Sequence, residues 1–161
     1  MDYIDAQTWN TTLPGRRVQE YGYSYHTGAM GAKIQPIPDV FDFLCKRFVE
    51  LKLMTHKPDQ LIINEYNPGQ GIGAHIDHLK YFGDEVVSVS MLSDVVMIFD
   101  REDTGETIDV LLERSSCAVL TGDARYKWRH SIAKRKKDTI HGWTLIRSRR
   151  VSLTFRHMLS S

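Results

Sequence analysis

The chain has 161 residues, of which 42% are hydrophobic and 25% charged, with a net charge of +1. That length suits one domain with its own core, and no apolar run approaches the ~20 residues of a membrane-spanning helix. The polar, acidic opening MDYIDAQTWN is not a secretory signal, so the expected place is the cytoplasm, or the nucleus of a eukaryotic cell, with no secretion and no membrane partner.

The first third reads as irregular, broken by Pro14-Gly15 and Gly28. After Pro36 and Pro38, Val40, Phe41, Leu44, Phe48 and Leu51 recur at helical spacing, which predicts an amphipathic helix over Asp39 to Met54. Cys45 and Cys117 lie in apolar segments and are expected to be buried free thiols; a bridge between them stays open. Beyond Pro58 the pattern turns to β. Strands are predicted at Leu61 to Tyr66, Glu85 to Leu92, Asp94 to Asp100, Thr107 to Leu112 and Ala118 to Thr121. One or two more lie within Thr144 to His157, and Asn67 to Gly71 reads as a turn. Many short strands with regular turns predict a mostly β fold, a sandwich or jelly roll with a supporting helix.

His75-Ile76-Asp77 carries the first chemical signal. Side chains two apart on an extended chain point the same way, so His75 and Asp77 can grip one ion while Ile76 points away. A third ligand must come from a distant strand, and His130 is the best candidate. Two histidines and a carboxylate leave three positions open, as non-haem iron oxygenases require. A zinc site of the same composition is the chemical rival, and a chance match in a surface loop is the plain alternative.

Arg150 to Arg156 alternates, with Val151, Leu153 and Phe155 on one face and Arg150, Ser152, Thr154 and Arg156 on the other. The ordinary meaning is a strand with its polar face in water. If that face lines a hollow instead, Arg150 offers a fork for a carboxylate, with Ser152 or Thr154 beside it. Asn64 and Tyr66 share a face before the Gly-rich turn, and an amide and a phenol both suit a small dicarboxylate.

Asn64-Glu65-Tyr66, His75-Ile76-Asp77, His130 and the ending R-x-S-x-T-F-R, taken in this order, resemble the AlkB family. Its tRNA wobble-uridine hydroxylase branch is the most similar, and the phrases NEYNPGQGIGAHID, VVSVSML and LTGDARYKWRHSI agree. The resemblance implies a double-stranded β-helix over roughly 60–157, a helix over 39–54 and an N-terminal nucleotide-recognition lid over roughly 9–30, all in a single domain. It implies Fe(II) held by His75, Asp77 and His130, and 2-oxoglutarate as cosubstrate beside dioxygen. Asn64, Tyr66, Arg150, Ser152, Thr154 and Arg156 match its cofactor-binding positions. Ser152 departs from the asparagine of several repair members, which weakens a simple assignment to DNA repair.

The segment around Arg16, Arg17, Gln19, Tyr21 and Tyr23 looks like the family's lid, where cations meet phosphates and rings stack on a base. Trp9 and Tyr25 are further ring candidates. Arg125, Lys127, Lys134, Arg135, Lys136 and Lys137 form a basic run read as a second contact for nucleic acid, against the plain alternative of a solvated loop. The expected activity is hydroxylation or oxidative demethylation of a modified or alkylated base, with RNA, including tRNA, favoured over DNA. The alternatives are the same chemistry on a protein side chain, or a catalytically silent jelly-roll module that binds nucleic acid.

Overall fold

A computed structural model describes residues 1–26 and 28–159. A short α1 (Asp2–Asp5) precedes β1 (Arg17–Tyr21). A 3₁₀ turn at Asp39–Phe41 then runs into α2 (Asp42–Glu50). Next come β2 (Gln60–Tyr66), β3 (Ile72–His75), β4 (Phe82–Met91), β5 (Val95–Asp100), β6 (Thr107–Leu112) and β7 (Cys117–Leu120). The chain closes with α3 (Gly122–Tyr126), β8 (Arg129–Ile132), β9 (Lys137–Ile140), β10 (Trp143–Ile146) and β11 (Arg150–Met158). A five-stranded sheet in the order β1-β2-β11-β4-β7 faces a four-stranded sheet in the order β3-β8-β5-β6, and β9 and β10 form a separate hairpin. The fold is the mostly β jelly roll expected from the strand pattern.

The larger sheet has an unusual distribution of polarity. Val151, Leu153 and Phe155 of β11 join Leu61 and Ile63 of β2 on its outer face, against Phe41, Cys45 and Phe48 of the helical segment. Phe48 and Phe155 meet edge to face at 5.1 Å. This outer cluster is the main apolar core, and each fully buried large side chain in it contributes ~1.5–3 kcal/mol. The inner face is polar. In the β2, β11, β4 register Ser152 stands beside Asn64 and Ser90, Arg150 beside Tyr66, and Thr154 beside Ser88. A smaller apolar cluster of Val95, Leu112 and Ile132 lines the facing sheet, with Tyr66 reaching across to it. A hollow therefore lies between a polar wall and an apolar one.

Three expectations need correcting. The helix stops at Glu50, short of Met54, because Lys52 takes a left-handed conformation (φ 57). The Leu53 N–H donates to the Phe48 carbonyl and the Lys52 N–H to that of Val49, the paired closure of a Schellman turn. A lysine at that position leaves no sequence mark. Residues 17–21, read as part of a lid, are instead the edge strand β1 of the larger sheet, paired with β2 from Arg17↔Glu65 to Tyr21↔Leu61. Thr27, within the predicted lid span, lies outside the described residues. Cys117 is exposed, because β7 is the other edge of that sheet; Cys45 is buried, and both are free thiols.

Two glycines serve close approaches. A Cβ on Gly22 (φ +80) would stand 1.8 Å from the Asp59 carbonyl oxygen, and one on Gly71 2.1 Å from that of Ile132. No helix among the described residues is long and apolar enough to cross a membrane.

Asp138 anchors the β9–β10 hairpin to the body. Its fully buried carboxylate accepts from Arg147 (2.6 Å), from Arg135 (2.7 Å) and from the backbone N–H of Val96 (3.0 Å). Arg147→Ala would leave that buried charge with only Arg135 and the Val96 N–H, at a cost of about 1–3 kcal/mol. Urea unfolding checks this, and a loss under about 1 kcal/mol would show that the pair carries no such weight.

Candidate metal and cosubstrate site

Antiparallel pairing of β3 with β8 sets His75 directly opposite His130. Their rings lie 4.3 Å apart between centroids. Asp77 follows just past the end of β3, and its carboxylate comes within 4.0 Å of His130 Nε2. The candidate ligand atoms of His75, Asp77 and His130 all lie within 4.8 Å of one another. His75 Nδ1 stands 2.9 Å from the Gly73 carbonyl oxygen. Donation there leaves Nε2 with the free lone pair a metal needs. His78, next in sequence, packs its ring against that of Tyr81 at 4.5 Å in a tilted contact.

The electrostatics suit a cation. Burial alone raises the pKa of Asp77, but Arg156, His130 and His75 outweigh it and hold the carboxyl at about 2. Burial pushes His130 down to about 4, so its imidazole is neutral at ordinary pH. A neutral His130 and an ionised Asp77 are the protonation states in which these groups coordinate.

The three residues open onto a cavity of about 390 Å³ between the sheets. Arg150, Ser152, Thr154 and Arg156 line it, as do Asn64 and Tyr66, while Met97, Leu112 and Ile132 form the apolar side. The two arginines of β11 differ. Arg156 donates to Asp77 Oδ1 (2.7 Å) and Gln60 Oε1 (3.0 Å), so it supports the carboxylate of the metal cluster. Arg150 is 3% exposed and donates to Ser90 Oγ at 2.8 Å, yet it has no carboxylate partner among the described residues. Its Nε has no hydrogen-bond partner there at all. A buried guanidinium stays charged and is costly without a counter-charge, so this end of the cavity is built for an anion. Burial also pushes the Tyr66 phenol up, so it keeps its proton for donation.

Arg125 has a different place from the nucleic-acid contact expected of it. It is fully buried and donates to the carbonyls of Asp77 (2.9 Å), Phe82 (3.1 Å), Gly83 (3.1 Å) and His78 (3.5 Å). It thereby pins the segment that carries Asp77. A buried arginine on a short helix has no signature that separates it from a surface one, so this role was invisible in the sequence.

The N-terminal candidates divide by the two-residue period of β1. Arg16, just before the strand, lines the cavity and donates to Asn64 Oδ1 at 3.0 Å. Arg17, Gln19 and Tyr21 point to the opposite face. Arg17 forms a two-pronged pair with Glu65 (2.7 and 3.0 Å), and Gln19 bonds the Ile4 carbonyl and the Tyr21 hydroxyl within the outer core. Those three are occupied in holding the sheet. Tyr23 bridges to Lys33 away from the cavity. Tyr25 and His26 line the cavity. His26, which sequence reasoning missed, accepts from Arg16 and is held at about 4 by burial and by that cation. An isolated histidine in an irregular stretch offered no pattern to find it by.

The basic run is dispersed too. Lys127 pairs with Asp123 on the surface, and Arg135 turns to Asp138. Lys134, Lys136 and Lys137 are exposed past the end of β8 that leads away from His130.

Residues 3–156 match the 2OG-Fe(II) oxygenase superfamily. The chain is 43% identical over 141 residues to the tRNA (carboxymethyluridine(34)-5-O)-methyltransferase ALKBH8 of Macaca fascicularis, covering 84% of this chain and 21% of that protein. It is 30% identical to the alkylated DNA repair protein ALKBH8 homolog of Arabidopsis thaliana, covering 95% of this chain and 52% of the relative. Among solved structures, OsALKBH1 superposes with a TM-score of 0.65 at 21% identity, over 89% of this chain and 78% of that one. A Pseudomonas putida prolyl-4-hydroxylase superposes with a TM-score of 0.59 at 16% identity, over 97% and 81%, and shares the fold. The chain thus spans about a fifth to a half of the length of these curated relatives.

Arg125→Lys tests the clamp on Asp77, because an ammonium cannot reach four carbonyls at once. Metal affinity should fall about 10–100-fold with His75, Asp77 and His130 untouched. Anaerobic titration with cobalt(II), followed by its absorbance, measures this; unchanged affinity would leave Arg125 as packing alone.

Proposed function

Because this chain belongs to the 2OG-Fe(II) oxygenase superfamily, among its AlkB-like members, we propose that it oxidises a modified or alkylated base in nucleic acid, with RNA favoured over DNA. The superfamily makes it an oxidoreductase that uses Fe(II), 2-oxoglutarate and dioxygen. The observation that carries the site assignment is Arg150, a buried cation without a carboxylate partner in the cavity that holds the His75, Asp77, His130 cluster.

Iron held by His75, Asp77 and His130 would supply the activation of dioxygen, which no side chain here can perform. The chain contributes position and shielding. Arg150 presents its fork to the distal carboxylate of 2-oxoglutarate, with the Tyr66 phenol as a second donor. Asn64, Ser152 and Thr154 line the polar wall beside it. Met97, Leu112 and Ile132 keep the opposite wall dry, so each polar contact acts in a low dielectric. Arg156 keeps Asp77 ionised and aimed. At the mouth Arg16, Tyr25 and His26 offer a cation and two flat rings to an incoming nucleotide.

RNA is favoured because the macaque relative is named for a uridine of tRNA. That name describes a protein of which this chain spans about a fifth, so only the substrate class is carried over, not the methyl transfer. A nematode relative at 24% identity is named a DNA N6-methyl adenine demethylase, which keeps DNA as the competing substrate.

The test is anaerobic loading with iron(II) and 2-oxoglutarate, then succinate detection on admission of air with tRNA, methylated RNA, methylated DNA and peptides. Stimulation by RNA supports the proposal, stimulation by peptides alone replaces it, and no succinate with any substrate indicates a silent module. His130→Ala should abolish iron binding and turnover while leaving the fold intact; retained activity would remove His130 from the site. Arg150→Ala should raise the KM for 2-oxoglutarate at least about 30-fold, since it strips a buried charge pair of one partner. A normal KM would refute the anchor.

A further inference from the structure

We propose that the β9–β10 hairpin is a docking arm for single-stranded nucleic acid, with Trp143 as a stacking platform and Lys134 and Lys136 as phosphate contacts. The proposal rests on the nucleic-acid reading above and extends it to a surface outside the cavity.

The hairpin is a rigid projection. His141 and Gly142 at its tip both have positive φ (49 and 80), the two-residue turn that matches strand twist. Four residues pair on each side, from Trp143↔Ile140 to Ile146↔Lys137. The buried Asp138–Arg147 pair fastens its base. Such an anchored element keeps its outward side chains in place.

Those side chains are the anomaly. Trp143 is 75% exposed and Ile146 82% exposed, the two most exposed of the large hydrophobic residues in the described chain. A tryptophan so open in a well-fastened strand gains nothing from the fold and suits a ligand with flat faces. The charge beside it is of one sign. Asp138 is the only acidic residue between Lys134 and Ile146, and Arg135 and Arg147 already neutralise it. Lys134, Lys136 and Lys137 are exposed and make no ion pair with a described residue. The pairing puts Lys137 on the Ile146 face and leaves Lys136, with Lys134 before it, to serve a strand stacked on the indole, phosphates on the lysines and a base on the ring.

The arm is continuous with the cavity mouth. The Lys134 side chain packs on Gly15, where a Cβ would meet its Cε at 3.4 Å, and Gly15 adjoins the cavity-lining Arg16. A cationic track therefore runs from Arg16 over Lys134 to Lys136, on the side of the hairpin that carries the indole.

Anisotropy of a labelled, unmodified single-stranded RNA, measured at several salt concentrations, tests this. Trp143→Ala should weaken binding about tenfold without changing the salt slope, and Trp143→Phe should recover most of the loss. Lys134→Gln with Lys136→Gln should flatten the slope of log affinity against log salt by about 1.4. These side chains are exposed, so melting temperatures should not move, which separates contact from folding. If the wild-type protein binds RNA and Trp143→Ala binds equally well, the hairpin proposal falls alone, and the indole belongs to a protein contact. If the wild-type protein binds no oligonucleotide, the hairpin and the nucleic-acid substrate fall together.

Discussion

Arg150 is a positive charge in the interior with no described carboxylate to meet it. Its neighbour along the same face, Arg156, is spent on Asp77. The contrast divides the strand, since one guanidinium holds the Asp77 carboxylate and the other lines the cavity with no described counter-charge. Burying a free cation lowers stability, and a fold keeps such a group where the matching anion arrives from solution. Ser90 takes one N–H and Tyr66 lies near the guanidinium, so the cation is partly supported while it waits.

That arrangement depends on how the larger sheet divides its faces. In a common sandwich the apolar faces meet inside. Here the apolar face of β2 and β11 turns outward to α2 and the N-terminal segment, which supply the main core. The inner face is thereby released from packing duty and can carry Asn64, Ser152, Thr154 and both arginines. The helix is part of the site in this sense: without it the outer face would be exposed to water and the polar inner face would have no reason to stay inside.

Two devices bring His75, Asp77 and His130 together. The β3–β8 register aligns His75 with His130 across one strand pair, and Arg125 pins the Asp77 backbone from the far side of the loop. The first uses pairing energy already present in the sheet. The second is a buried cation satisfied by carbonyls, which holds an otherwise free loop to within a hydrogen-bond length.

Local periodicity was enough to read much of this from the sequence. The alternation of Arg150 to Phe155, the i, i+2 relation of His75 and Asp77, and the strands β2 and β4 to β7 were legible, because a two-residue repeat dictates which side chains share a face. The order of the motifs carried a family resemblance, and that resemblance implied the metal and its cosubstrate. Tertiary structure alone decided which face was inside. It placed the polar side of β11 in a cavity, sent Arg17, Gln19 and Tyr21 to the outer core while leaving Arg16 at the mouth, and buried Arg125 under the loop it clamps. It also ended α2 at a left-handed lysine and left Cys117 on an open edge. Each of these depends on what packs against a residue from far along the chain, and a linear pattern does not contain that information.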